Sequence, residues 1–249
     1  MRRVMALVSV VLLAAPAGAG TLHDVVNGLA KATGGQPATS GSSGGGGTSA
    51  GDVLGAIVDG LLDPDMAWSG GSGPPYTQPV LYGSGPAGAA TLSAYLGLQS
   101  VIGSDGAGTI AAHASFEDLG FGLEATRYWE GPTSGQPSVQ LDYLRLFGSY
   151  RLVHDGALAI WLEGGGAAVL ALEDETILGG FAGLRVEKHV AGQLGVSLEI
   201  GGAVYSHGIL GLEAEAAVDL WLLRVGYRVL AFDVGPPLHG PELGIAVTF

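Results

Sequence analysis

The sequence predicts an all-β chain: an antiparallel, up-and-down transmembrane β-barrel of ten strands, preceded by a Gly/Ser-rich, disordered N-terminal tether. Three observations carry this. From Ala89 onward apolar residues recur with a period of two. The opposite face is rich in glycine and poor in the lysines that a water-facing strand carries. The segments between turn signals are about 9–15 residues long, the length of a tilted strand crossing a bilayer.

Composition sets the frame. The 249 residues include 45 Gly and no Cys, 47% are hydrophobic and only 13% are charged. The low charge fraction indicates little water-exposed surface. Net charge is −13, which removes the electrostatic footprint of a nucleic-acid binder. Without cysteine there is no disulfide, no thiolate metal site and no lipid anchor at an export signal.

The chain then divides into three parts. Residues 1–19 read as a signal peptide: Arg2 and Arg3, an apolar run from Val4 to Ala15, and Ala17-Gly18-Ala19 as the small-residue cleavage site. Residues 20–87 read as a low-complexity periplasmic tether. Thr39 to Ser49 consists of Gly, Ser and Thr, while Leu22–Ala32 and Asp52–Leu62 show helical spacing and predict one or two transient helices. Gly34-Gly35 and Gly44 to Gly47 lack the strand and the Lys-Ser/Thr of a phosphate loop. Residues 88–249 are the barrel.

Within it the predicted strands are 89–102, 107–116, 119–130, 138–152, 157–172, 176–189, 193–206, 209–218, 221–232 and 241–249. Two junctions carry the strand count. Ile110, Ala112, Ala114 and Phe116 are even-numbered, but Leu119, Phe121, Leu123 and Ala125 are odd. A strand cannot exchange faces without a bulge or a turn, so Glu117 to Gly120 is read as a turn. A second parity switch near Asp219–Leu222 has no Gly or Pro to support it, which leaves eight bulged strands as an alternative. Loop lengths favour ten, with Glu130–Pro137 and Asp233–Gly240 on the outside and short turns in the periplasm. Tyr128 and Trp129 are read as outer-interface aromatics and Tyr150 as one near the periplasmic rim.

The terminal strand Gly244-Ile245-Ala246-Val247-Thr248-Phe249 resembles the assembly signal of outer-membrane barrels. Gly244, Ile245, Val247 and Phe249 carry that likeness. Leu222 to Arg228 resembles the penultimate strands of the small OmpA-like, OmpX-like and OmpW-like barrels of Gram-negative outer membranes. The resemblance spans about 89–249. It implies outer-membrane lipid, lipopolysaccharide and the barrel assembly machinery as partners, and no cofactor.

With the apolar face outward, the lumen receives Glu124, Arg145, Arg151, Glu163, Arg185, Glu187, Glu199, Glu213, Glu215, Asp219, Arg224, Arg228 and Glu242. Such a set predicts a salt-bridged plug rather than a proton or cation path. Arg127 falls on the outward face near the outer rim, placed either for lipopolysaccharide phosphates or for snorkelling. His113 is assigned outward. Ser206, His207 and Glu213 are the residue types of a lipid hydrolase, but no nucleophile motif surrounds them. The expected function is a non-enzymatic barrel with an envelope-structural or surface role. The alternatives are a small pore or hydrophobic-solute transporter, and a lipid-modifying enzyme.

Overall fold

The computed structural model describes residues 22–36, 90–132, 137–155, 157–171, 176–191 and 194–248. The predicted signal peptide, the 52–62 helix and Phe249 lie outside the described residues.

One helix, α1 (Leu22–Thr33), precedes ten strands: β1 (Ala90–Gln99), β2 (Gly106–Phe116), β3 (Leu119–Glu130), β4 (Val139–Asp155), β5 (Leu158–Leu170), β6 (Thr176–Ala191), β7 (Leu194–Tyr205), β8 (Leu210–Leu220), β9 (Leu223–Phe232) and β10 (Leu238–Thr248). Each strand pairs antiparallel with its sequence neighbours. β1 closes on β10 through Ser93↔Thr248 to Gln99↔Glu242, so the barrel has no edge. The chain is a closed ten-stranded barrel, and the eight-strand alternative is excluded.

Both parity switches are two-residue turns. Glu117 takes φ 53° and Trp221 takes φ 57°. These are left-handed conformations of the kind that two-residue hairpins require. The second turn is hard to read from sequence because a tryptophan fills a place where glycine is usual.

At the rim where Ala90 begins and Thr248 ends, the connections are two residues each; at the other rim they run from four to eight. We call these the terminal rim and the loop rim. β10 begins at Leu238, not at 241, so the predicted loop Asp233–Gly240 shrinks to Asp233–Pro237. Pro241 lacks a donor yet its carbonyl accepts from Ser100 N at 3.0 Å, which keeps the strand paired through a residue that reads as a breaker. β4 and β6 run past their predicted ends through bulges at Arg151/Val153 and His189/Ala191.

The polarity is inverted relative to a soluble barrel. Leu98, Phe121, Leu146, Leu178, Val204 and Leu243 point outward and are each at least 58% exposed, whereas Arg145, Glu163, Glu187 and Arg228 point inward and are no more than 2% exposed. Glycines on the inward face make room for rings. A Cβ on Gly122 would fall inside the Phe147 ring, and one on Gly97 or Gly244 would strike Tyr95.

Helix α1 departs from the predicted tether. It is seated on the loop rim, the end opposite Ala90. Leu22, Val25, Val26 and Leu29 recur at i, i+3, i+4 and i+7 and are fully buried. Gly28 and Gly235 allow the approach: Val234 O abuts Gly28, and a Cβ on Gly235 would lie 2.9 Å from Val25 Cα. At the helix start, His23 N donates to Glu130 Oε2 at 3.2 Å, a carboxylate where the helix dipole favours one. His23 Nε2 lies 2.8 Å from Pro137 O.

Candidate functional site: the barrel lumen

The lumen is built by register. Cross-strand pairing sets Glu124 opposite Arg145, Arg185 opposite Glu199, Glu215 opposite Arg228 and Asp219 opposite Arg224. Opposite charges facing each other across a ladder stabilise it. The side chains then regroup, and three clusters result.

The central cluster crosses the barrel. Arg145 on β4 donates to Glu124 on β3 and through Nη1 to Glu199 on β7 at 2.6 Å, and its Nη1 lies 3.1 Å from Glu213 Oε2 on β8. Arg228 on β9 donates to Glu124 and, at 2.6 Å, to Glu213. Tyr143 OH donates to Glu213 at 3.1 Å, and the Arg145 guanidinium lies 4.8 Å from the centre of the Phe181 ring. Three acids therefore share two arginines.

The second cluster hugs one wall. Arg224 Nε donates to Glu215 at 3.1 Å and Nη1 to Asp219 at 3.1 Å; Nη2 donates to Ser197 Oγ at 3.0 Å. Beside it, Tyr95 OH donates to Glu242. In the third, Arg185 Nε lies 3.1 Å from Glu163 and 3.5 Å from Glu187. Arg151 stands apart at the terminal rim, donating to Asp118 Oδ1 at 3.0 Å and to Glu117 O at 2.6 Å, with Trp161 against it.

Between the clusters remains a cavity of about 40 Å³, lined by Tyr95, His113, Arg145, Glu187 and Arg224 among others. That is room for about two or three waters.

Toward the loop rim the lumen changes character. Tyr128, Leu141, Val169, Ile177, Phe232 and Leu238 point inward and form one apolar cluster with α1. Sequence reasoning missed this cup. The signal was present as apolar residues on the inward parity of strand ends, such as Val139 and Leu141. Tyr128, predicted at the outer interface, is fully buried inside; Trp129 is the outward one, at 36% exposure.

His113 is also corrected. Its odd number places it inward, opposite to Ala112 and Ala114, and it is 3% exposed. Its Nε2 lies 3.1 Å from Ser149 Oγ and its ring packs on Phe147 and Trp161. This is a serine–histidine contact, but Nδ1 has no hydrogen-bond partner among the described residues, so no acid orients the ring. The triad weighed from sequence is not assembled. Ser206 and His207 occupy an exposed turn at the loop rim, and Glu213 is held by two arginines in the lumen.

Arg127 faces outward and is bound bidentately by Asp142, at 2.6 and 2.8 Å, from the neighbouring strand. Of the terminal-strand residues, Ile245 faces outward opposite Leu96, Gly244 faces inward against Tyr95, and Val247 pairs with Ala94.

No protein-family model matches the chain, and no curated protein matches it. Among solved structures it is similar to a major outer membrane protein from Thermus thermophilus. The identity is 17% over 65% of this chain and 100% of that one, with a TM-score of 0.37.

It is an inside-out barrel. A wall of exposed aliphatic and aromatic side chains encloses a buried, largely ion-paired interior, with one end stoppered by a helix.

Proposed function

We propose that the chain is a non-enzymatic barrel of the bacterial outer membrane, with an envelope-structural or surface-interaction role. The single observation that carries this is the inverted polarity. Each outward Leu or Phe gains about 1.5–3 kcal/mol when covered by an apolar phase, and a closed barrel satisfies every backbone group without water. In this reading outer-membrane lipid covers the wall, and the barrel assembly machinery reads the terminal strand through Gly244, Ile245, Val247 and Phe249. Lipopolysaccharide meets the loop rim, where the Arg127–Asp142 pair stands on the outer wall and Arg127 already has its counter-charge.

A structural role is favoured over a pore because the central cluster ties β3 and β4 to β7, β8 and β9 across the lumen. The test combines fractionation with electrical recording. The protein should co-sediment with outer membranes, shift in gel mobility on boiling, and give no steady conductance in planar bilayers. Steady single-channel steps would replace the structural reading with the pore. Full solubility without lipid or detergent would remove both.

The apolar cup supports a second reading, a hydrophobic-solute transporter. Deleting residues 20–36 should then raise uptake of an apolar dye across the outer membrane, which a purely structural barrel does not do.

A further inference from the structure

The ring of His23, in the first turn of α1, is buried between two acceptors on the barrel. Its Nε2 lies 2.8 Å from the carbonyl oxygen of Pro137. Its Nδ1 lies 3.2 Å from Glu130 Oε2, at ion-pair distance but out of line for a hydrogen bond. A carbonyl has no proton to give, so Nε2 carries the hydrogen of the first contact. An ionised carboxylate has none either. A neutral ring protonated at Nε2 therefore sets the Nδ1 lone pair against a carboxylate oxygen. The imidazolium, with a proton on each nitrogen, suits both neighbours.

The charges around the ring are mainly negative. Glu130 Oε2 also accepts from His23 N at 3.2 Å, so one carboxylate stands between the start of the helix and the ring. The helix dipole disfavours a cation at this end. The Glu130 carboxylate offsets that, and Asp24, exposed in the same turn, adds a second negative charge. Lys31 is in the last turn of the helix. Other charged groups near the rim are engaged elsewhere. Arg127 and Asp142 pair with each other on the outer wall, Asp105 accepts from Gly131 N at 2.6 Å, and Asp233 accepts from Leu210 N at 3.0 Å. Residues 133–136, between β3 and β4, contain no ionisable side chain.

We propose that His23 and Glu130 form a proton-operated latch on the helix that stoppers the apolar cup. With the ring protonated, α1 is tied to β3 through Glu130 and to the segment entering β4 through Pro137. Loss of the proton replaces the Nδ1–Glu130 attraction with a lone pair facing a negative charge. The apolar contacts of Leu22, Val25, Val26 and Leu29 remain, so deprotonation loosens the helix without ejecting it. The seat is accordingly firmest in acid and loosens as pH rises through the range in which histidine loses its charge, about pH 5 to 8. Apolar solutes gain access to the cup at the upper end of that range, a consequence that rests on the transporter reading above. The latch itself is independent of what covers the outer wall.

The experiment follows hydrogen exchange in the full chain, folded in lipid vesicles, at about pH 5.5 and about pH 8. Protection is taken relative to the unfolded rate at the same pH. For amides 26–33 it should fall about tenfold on going to the higher pH, the low end of what a hydrogen bond to a charged group contributes. Strands β1 to β10 should keep theirs. In His23→Gln the side-chain amide still donates to Pro137 O but carries no charge, and protection of α1 should be the same at both pH values. Glu130→Gln keeps the ring and should shrink the pH effect. Ring nitrogen shifts read the proton directly in the unsubstituted chain: at the lower pH, seated His23 should carry hydrogen on both Nδ1 and Nε2. A neutral ring there would overturn the proposal, whether or not either variant seats α1. So would unchanged protection of 26–33 between the two pH values, a fall shared equally by the strands, or a pH effect that survives in His23→Gln.

Discussion

Arg145 on β4 reaches across the lumen to Glu199 on β7, three strands away, at 2.6 Å. The same guanidinium serves Glu124 and Glu213. Removing it leaves Glu124 and Glu213 to share Arg228 and takes from Glu199 its guanidinium contact, in a space that holds only a few waters. Arg145→Leu should lower the unfolding free energy by about 3–5 kcal/mol, the usual cost of breaking a buried ion pair. Adding Glu213→Gln should recover part of that loss, since one uncompensated charge is gone. Urea titration of barrels folded in lipid vesicles measures both. A loss below about 1 kcal/mol would show that the interior is wet enough to solvate its acids.

Inward and outward glycines should respond oppositely. Gly122 backs onto the Phe147 ring, while Gly180 on the outer face meets nothing within 4 Å. Gly122→Ala should cost about 1–3 kcal/mol through displacement of that ring. Gly180→Ala should be neutral or stabilise by up to about 1 kcal/mol. The same vesicle titration separates them.

Glu117 and Trp221 hold left-handed backbone at the terminal rim. Glycine accepts that conformation without the Cβ clash, worth about 1–2 kcal/mol per residue. Glu117→Gly should therefore raise stability by about 1 kcal/mol after the greater freedom of the unfolded glycine is subtracted. Trp221→Gly should gain less, because it also gives up an exposed rim aromatic.

Most of the fold was legible because a period of two, once its parity is tracked, fixes which face each residue takes. That logic located both turns, even where Trp221 replaced the usual glycine. It also set Glu124, Arg145, Glu213 and Arg228 inward. What it did not contain was the choice of partner. Arg228 stands opposite Glu215 in the register yet binds Glu124 and Glu213. That regrouping depends on lumen width, and local pattern carries no measure of it. Helix α1 was visible as a helix in the spacing of Leu22, Val25, Val26 and Leu29. Its seat was not, because the cup is assembled from inward strand ends on β3, β4, β5, β6, β9 and β10.

The seat of α1 makes a prediction of its own. Val26→Asp places a charge in a fully buried apolar contact. It should release the helix while the strands stay paired, since the strand ladder does not involve α1. Hydrogen exchange should show amides 22–33 losing protection and β1 to β10 keeping theirs. Loss of protection throughout would mean that the stopper is part of one cooperative unit with the barrel.

The outward wall gives the most direct test of the membrane reading. Leu146, in the span of β4, is 67% exposed. If lipid covers it, Leu146→Arg should cost about 2–4 kcal/mol for barrels folded in vesicles, near the value for arginine at mid-bilayer. A change within about 0.5 kcal/mol, as for an ordinary water-facing position, would contradict the account: the wall would then face water.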